Sequence, residues 1–204
     1  QSDINNTILE VHIEGYELEE VIDNNFLIKI DKGIPSLNEG SPNLPKLNTS
    51  IIIPDQSSMK VSILEAEYEE FNNINIIPSK GNIIRNIDPS TIPYVYGNIY
   101  RQDNFYPTKL AELGDPYILR GVRGQGIIIN PVQYNPISKT LRVYNKILID
   151  IKESKRLSKN AKNIITRRED GVKTTHEFEN IYKNLFINYQ NDLRFDYLSD
   201  QGNM

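Results

Sequence analysis

Leu141-Arg142-Val143-Tyr144-Asn145-Lys146-Ile147-Leu148-Ile149-Asp150-Ile151 is the stretch on which the fold turns. Val143, Asn145, Ile147, Ile149 and Ile151 keep a period of two, the signature of a strand with one face on a core. A second apolar run, Gly126–Asn130, precedes it, with Pro131-Val132-Gln133-Tyr134-Asn135-Pro136 between. The two runs read as arms of one hairpin, with Asn135-Pro136 marking the turn. Working outward, Met59–Tyr68 alternates, with Val61 and Ile63 on one parity and Leu64, Ala66 and Tyr68 on the other. Ile8–Ile13 alternates too, with Leu9, Val11 and Ile13 set against Ile8, Glu10 and His12. Ile51-Ile52-Ile53-Pro54 is a buried strand that stops at proline, and Val21–Ile30 carries the apolar run Phe26–Ile30. Gly40-Ser41-Pro42-Asn43-Leu44-Pro45 excludes a helix, because proline breaks the hydrogen-bond ladder.

Composition agrees. The 204 residues include 31 Ile and 12 Tyr, which favour strands, but only 3 Ala, the best helix former. The 24 Asn, 11 Gly and 11 Pro supply turns. The period changes only near the end, where Phe178, Ile181, Tyr182, Leu185 and Phe186 fall on one helical face. Thr174-Thr175-His176-Glu177 reads as its capping box, with Thr174 as N-cap. The prediction is an all-β chain of nine to eleven strands, an antiparallel β-sandwich or open barrel with one C-terminal amphipathic helix. Its expected organisation is a β-rich body over 1–151, a basic linker over 152–173, the helix within 174–188 and a polar tail over 189–204.

Charge and chemistry narrow the function by exclusion. Residues 1–150 hold 13 Lys/Arg against 19 Asp/Glu, a net of −6; residues 152–173 hold 8 against 3, a net of +5. The basic stretch has no interleaved aromatic residue and the rest is acidic, which argues against nucleic acid. It reads as a solvated linker whose Arg167-Arg168 pair is open to processing enzymes. With no Cys and two distant His, a Cys nucleophile, a zinc site and any metal site are not expected. No apolar run approaches 18 residues, so no membrane insertion by a helix is expected. The acidic groups Glu17–Glu20 and Glu69-Glu70 read as solvated faces. Gly121-Val122-Arg123-Gly124-Gln125-Gly126 precedes a strand where a phosphate loop would need a helix, so it reads as a turn or bulge. No catalytic motif and no cofactor site is found, and the chain is not expected to be an enzyme. It opens with Gln1-Ser2-Asp3, which cannot initiate translation, so the removal of a signal peptide or of a tag is expected, the first fitting an exported protein.

Several segments together resemble the N-terminal propeptide of gingipain-type cysteine peptidases, the C25 peptidase family. They are Gly40-Ser41-Pro42-Asn43-Leu44-Pro45, Ile52-Ile53-Pro54, Pro93-Tyr94-Val95-Tyr96, Leu119-Arg120-Gly121-Val122-Arg123, Asn130-Pro131-Val132-Gln133-Tyr134-Asn135, Leu141-Arg142-Val143 and the helix segment Phe178–Phe186. The resemblance runs over about residues 33–190. It implies the prodomain of a secreted zymogen of a Gram-negative bacterium, packed on the catalytic domain of the same precursor. Such a prodomain keeps the peptidase latent and assists its folding. It also implies that the tail leads toward that catalytic domain, which lies outside this sequence.

In the family, a loop between the Pro-Tyr-Val-Tyr and Leu-Arg-Gly-Val-Arg segments enters the active-site cleft, which here is Gly97–Leu119. Family members carry a basic residue two before an aromatic one. Phe105 and Arg120 keep the family separation, so the matching position is Asp103, within Arg101-Gln102-Asp103-Asn104. Three readings stay open: an acidic plug at Asp103, a shifted loop with Arg101 in the S1 pocket, and a loop that does not insert. The resemblance implies release at Arg194, and Arg167 and Arg168 are further processing candidates. An Asp-specific enzyme would cut at Asp192, Asp196 or Asp200 instead. A different class of function is a secreted β-sandwich module for glycans or surfaces, with Tyr94, Tyr96, Tyr100 and Tyr106 as an aromatic platform. Exposed strand edges would also allow a weak homodimer.

Overall fold

The computed structural model describes residues 4–154, 162–166, 172–174, 176–189 and 195–197. The processing candidates Arg167, Arg168 and Arg194 lie outside the described residues. The long strand β11 (Thr140–Ser154) is the hub. Along one edge it pairs antiparallel with β6 (Ser58–Phe71), from Leu141 opposite Phe71 to Ser154 opposite Ser58. Along the other it pairs first with β10 (Val132–Asn135) and then with β1 (Asn6–His12). The second sheet has the order β4 (Ile34–Pro35), β5 (Pro45–Ile52), β9 (Val122–Ile129), β8 (Ala111–Leu119). A third is built from β2 (Tyr16–Ile22), β3 (Asn25–Ile30) and β7 (Asn75–Ile76). The β2–β3 hairpin turns on Asp23 and Asn24, both at positive φ.

The expected hairpin between Gly126–Asn130 and Leu141–Ile151 does not form. β9 pairs with β5 and β8 in the second sheet, and the arm joined to β11 by the Asn135-Pro136 turn is the short β10. The strict alternation along β11 also breaks. Tyr144 faces Tyr68 and Lys146 faces Glu67, which leaves Asn145 bulged and exposed. One extra residue moves every later side chain to the other face. Leu141 and Val143 therefore enter a cluster with Ile28, Leu44, Ile76, Val132 and Tyr134. Tyr144, Ile147, Ile149 and Ile151 enter a different one with Val11, Ile51, Ile127 and Ile129, between the β11 and β9 sheets. Packed sheets make this a sandwich rather than an open barrel.

Ile51-Ile52-Ile53 is buried throughout because β5 is covered on both faces. Ile51 points into the sandwich, and Ile52 packs with Val122, Tyr182 and Phe186 under helix α1 (His176–Leu185). The buried stripe of α1 is narrower than the sequence suggests. Tyr182 and Phe186 are buried and Phe178 half-buried, but Ile181 and Leu185 stay exposed. Thr174 lies two residues before His176, the first residue of the helix. It ends strand β12 (Val172–Thr174), paired in parallel with β13 (Phe195–Tyr197).

After the helix, Asn188 acts as a clasp. Its Oδ1 accepts from the Ile52 N–H at 2.8 Å, and its Nδ2 donates to Ile52 O at 2.9 Å and Thr7 Oγ1 at 3.1 Å. An apolar replacement leaves two buried backbone groups without partners. Asn188→Ala is expected to lower the unfolding free energy by about 2 kcal/mol, read from urea melts of the 204-residue chain. An unchanged midpoint would contradict the clasp.

Candidate functional site

The segment expected to enter a peptidase cleft is shorter than Gly97–Leu119, because Ala111–Leu119 is the edge strand β8. What remains is a loop over 97–110 fixed at both ends. At its start, the Gly97 N–H donates to Gly40 O at 2.9 Å, and a Cβ on Gly97 would lie 2.8 Å from that oxygen. Only glycine allows this approach. Asn98–Arg101 then forms a 3-10 turn, closed by the Gln102 N–H on Ile99 O, and Gln102 itself is extended. At the far end Tyr106 exchanges two backbone hydrogen bonds with Tyr134, at 2.9 and 2.8 Å.

Between these anchors Arg101, Gln102, Asp103 and Asn104 are all exposed. Below the loop, three buried amides of the 130–135 segment reach up to it. Asn130 Nδ2 donates to Lys109 O at 2.8 Å, Gln133 Nε2 to Pro107 O at 2.6 Å and Asn135 Nδ2 to Asp103 Oδ1 at 2.9 Å. The Asn135 amide is itself oriented, since its Oδ1 accepts from the N–H groups of Ile137 and Ser138. Phe105 lies under the Arg142 guanidinium, 3.6 Å from the ring centroid. Arg142 Nε donates to Glu70 Oε2 at 2.8 Å, and its guanidinium also lies 4.8 Å from the Tyr68 ring centroid. Burial is the largest influence on the Arg142 charge and works against it, but the Glu70 hydrogen bond and the nearby Tyr68, Glu70 and Tyr144 groups together outweigh it and hold the pKa above the ordinary value.

A run of tyrosines supports the loop from beneath. Tyr100 donates to Ile76 O at 2.7 Å and packs edge-on against Tyr96 and Tyr134. Burial pushes the Tyr100 and Tyr134 hydroxyls up from their usual pKa. Of the four tyrosines proposed as a glycan platform, only Tyr96 is exposed; Tyr94, Tyr100 and Tyr106 are half-buried, and Lys80 covers the Tyr94 ring at 4.1 Å. Among the described residues no group of His, Cys, Asp and Glu is arranged to hold a metal ion, and no helix is long and apolar enough to cross a membrane.

Residues 25–186, which contain the loop, the amide segment beneath it and the helix, match the Propeptide_C25 family model. The chain belongs to the C25 propeptide family. It is 43% identical over 159 residues to gingipain R1 and 39% identical over 159 residues to gingipain R2, both of Porphyromonas gingivalis. Those matches cover 78% of this chain but only 15% and 21% of the two relatives, so the chain spans about a fifth of their length or less. A solved complex of the Porphyromonas gingivalis RgpB pro- and mature domains superposes with a TM-score of 0.83 at 33% identity, covering 93% of this chain and 95% of that one. A structure on the zymogenic latency of gingipain K from the same organism shares the fold, with a TM-score of 0.63 at 22% identity over 74% of this chain and 88% of that one.

This C25 propeptide thus has its candidate residues 101–104 together on one exposed tip. Sequence reasoning missed the residues that hold that tip: Asn130, Gln133, Asn135 and Arg142. A signal was present, since Asn130, Gln133 and Asn135 are polar residues that end up buried beside apolar Val132 and Tyr134.

Proposed function

We propose that the chain is the inhibitory and folding-assisting prodomain of a gingipain-like cysteine peptidase, and that its 101–104 tip enters the active-site cleft as a substrate would. The catalytic cysteine then belongs to the peptidase domain of the same precursor, which is the partner, and the precursor is exported. Release would follow cleavage at Asp192, Asp196 or Asp200 where the peptidase cuts after Asp, and at Arg194, Arg167 or Arg168 where it cuts after Arg. The observation that carries the reading is an exposed four-residue tip on a loop anchored at both ends and from below. Arg101 belongs to the 3-10 turn, whereas Asp103 lies past the extended Gln102 on the bend at the tip of the loop, which favours Asp103 as the plug. An acidic plug needs a basic S1 pocket, because an unpaired buried charge costs several kcal/mol.

One observation favours Arg101 as a second reading. The Asp103 carboxylate already accepts from Asn135, whereas the Arg101 side chain has no partner among the described residues. The test is an inhibition assay with the separately produced peptidase domain of its own precursor. The parent chain is expected to inhibit, and Asp103→Ala to raise the inhibition constant about thirtyfold or more, the loss expected of a central anchor. Loss with Arg101→Ala but not Asp103→Ala would transfer the plug to Arg101. Indifference to both would remove the inserting loop.

A further inference from the structure

We infer that Arg142 is a positioning residue for the inhibitory tip, holding it in its binding-competent shape through the ring of Phe105; this rests on the inserting loop proposed above. From Gln102 to Phe105 a side-chain hydrogen bond, Asn135 to Asp103, and the stack of half-buried Phe105 on Arg142 tie the tip to the body. Phe105 follows the tip directly, and Tyr106 after it is already locked to Tyr134. The orientation of Phe105 therefore sets the direction in which the chain leaves the tip.

Arg142 is built for this task. It projects from the hub strand, one residue from Leu141 at 0% exposure, so its backbone cannot drift. Its guanidinium is fixed by Glu70 on β6 and shared between the rings of Phe105 and Tyr68. A planar, weakly hydrated guanidinium can stack on a ring and donate in its plane at once; a lysine ammonium cannot. The side chain is 27% exposed, a rim position that contributes less to the core than a buried anchor would. Ordering a loop before binding lowers the entropy lost on association, so affinity rises without any new contact to the partner.

The experiment compares the 204-residue parent with Arg142→Lys, Phe105→Leu and the double variant. It measures inhibition of the peptidase domain of the same precursor, together with backbone amide order parameters of Asp103 and Asn104 in the free chain. Arg120→Lys serves as control, because Arg120 stacks on Phe178 at 4.2 Å on the helix, not on the loop. Arg142→Lys and Phe105→Leu are each expected to raise the inhibition constant about tenfold, in line with a partly desolvated cation–π contact. The double variant is expected to add little beyond the larger single effect, since both remove one interaction. Order parameters at Asp103 and Asn104 should fall from the rigid range toward about 0.6 in Arg142→Lys, and stay rigid in Arg120→Lys. Inhibition within twofold of the parent in Arg142→Lys, or additive effects in the double variant, would overturn the assignment. If the parent itself fails to inhibit, the inserting-loop reading fails separately. The order parameters then decide alone whether Arg142 holds the tip: rigidity retained in Arg142→Lys overturns the inference, and its loss sustains it.

Discussion

Phe186→Ala is expected to destabilise the chain by about 3–5 kcal/mol, the range for deleting a fully buried aromatic ring. Phe186 is 2% exposed and packs with Ile52, Val122 and Tyr182. Its ring stacks on Tyr117 with centroids 6.3 Å apart and planes 18° off parallel. The strand beneath is shaped for it. A Cβ on Gly124 would lie 2.6 Å from Phe186 Cε1 and 2.8 Å from Tyr117 Cζ, so the β9 backbone is bare where the rings sit. The same residue closes the edge of β5, through a parallel bridge from Phe186 to Ser50 and the Ile187 N–H on Ser50 O. Truncation thus opens a cavity and loosens the clasp at Asn188. The check is the urea-unfolding free energy together with the helical circular dichroism signal, which should weaken as α1 loses its seat. Gly124→Ala adds a second arm. Alone it should cost about 1–3 kcal/mol by overpacking, but little in the Phe186→Ala background. A cost below about 1 kcal/mol for Phe186→Ala, or simple additivity of the two changes, would contradict this packing.

Arg123→Lys should be nearly as damaging, at about 3 kcal/mol, despite keeping the charge. Arg123 is 1% exposed. Its Nη1 donates to Pro54 O at 2.6 Å and Ser57 O at 2.5 Å, its Nη2 to Lys162 O at 2.9 Å and its Nε to Asn163 O at 2.9 Å. Burial pulls its pKa below the ordinary value, and nearby Asp55 opposes that shift. One guanidinium fork thereby joins the turn after β5 to the middle of the basic stretch. Residues 162–166 are held further by Lys162 on Asp115 at 2.8 Å, Asn163 Nδ2 on Pro116 O at 2.5 Å and the Ile165 N–H on Asp55 O at 3.0 Å. A lysine ammonium has three donors on a single nitrogen and cannot span four carbonyls spread around a planar group. Two measurements check this: the unfolding free energy, and the rate of tryptic cleavage after Lys162, which should rise in the variant as the segment comes away. Equal cleavage rates would mean that Arg123 does not hold residues 162–166.

Much of the strand pattern was legible because burial imposes a period that the chain has to obey. Leu9, Val11 and Ile13 do face the sandwich core, and the Ile51-Ile52-Ile53 run is buried as its continuous apolarity requires. The polar tip 101–104 was legible as well, since exposed loops tolerate charge. β8 was not. Gly114, Asp115 and Pro116 interrupt its apolar residues, and an edge strand accepts them because its outer side needs no ladder partner; its register shifts there, between Leu113 and Pro116. The basic stretch was read as solvated from its charge, and Lys162, Asn163, Ile164 and Thr166 are exposed; the hydrogen bonds that seat residues 162–166 come chiefly from main-chain carbonyls and amides, which composition does not record.

Residue order alone specifies a β-rich chain closing on one amphipathic helix, because side-chain shape, turn residues and periodicity act locally. It also carries the family, through ordered motifs that fall within the matched residues 25–186. Which strands pair was settled by three-dimensional packing, since backbone hydrogen bonds carry no residue identity. Gly126–Asn130 therefore found β5 and β8 rather than the strand that follows it. Three-dimensional packing also set the bulge at Asn145, where one residue skipped in the register with β6 divides β11 between two cores. The same holds for the tip, whose anchors Asn135 and Arg142 lie about thirty to forty residues away in sequence and reach Asp103 and Phe105 only when β10 and β11 fold beneath the loop.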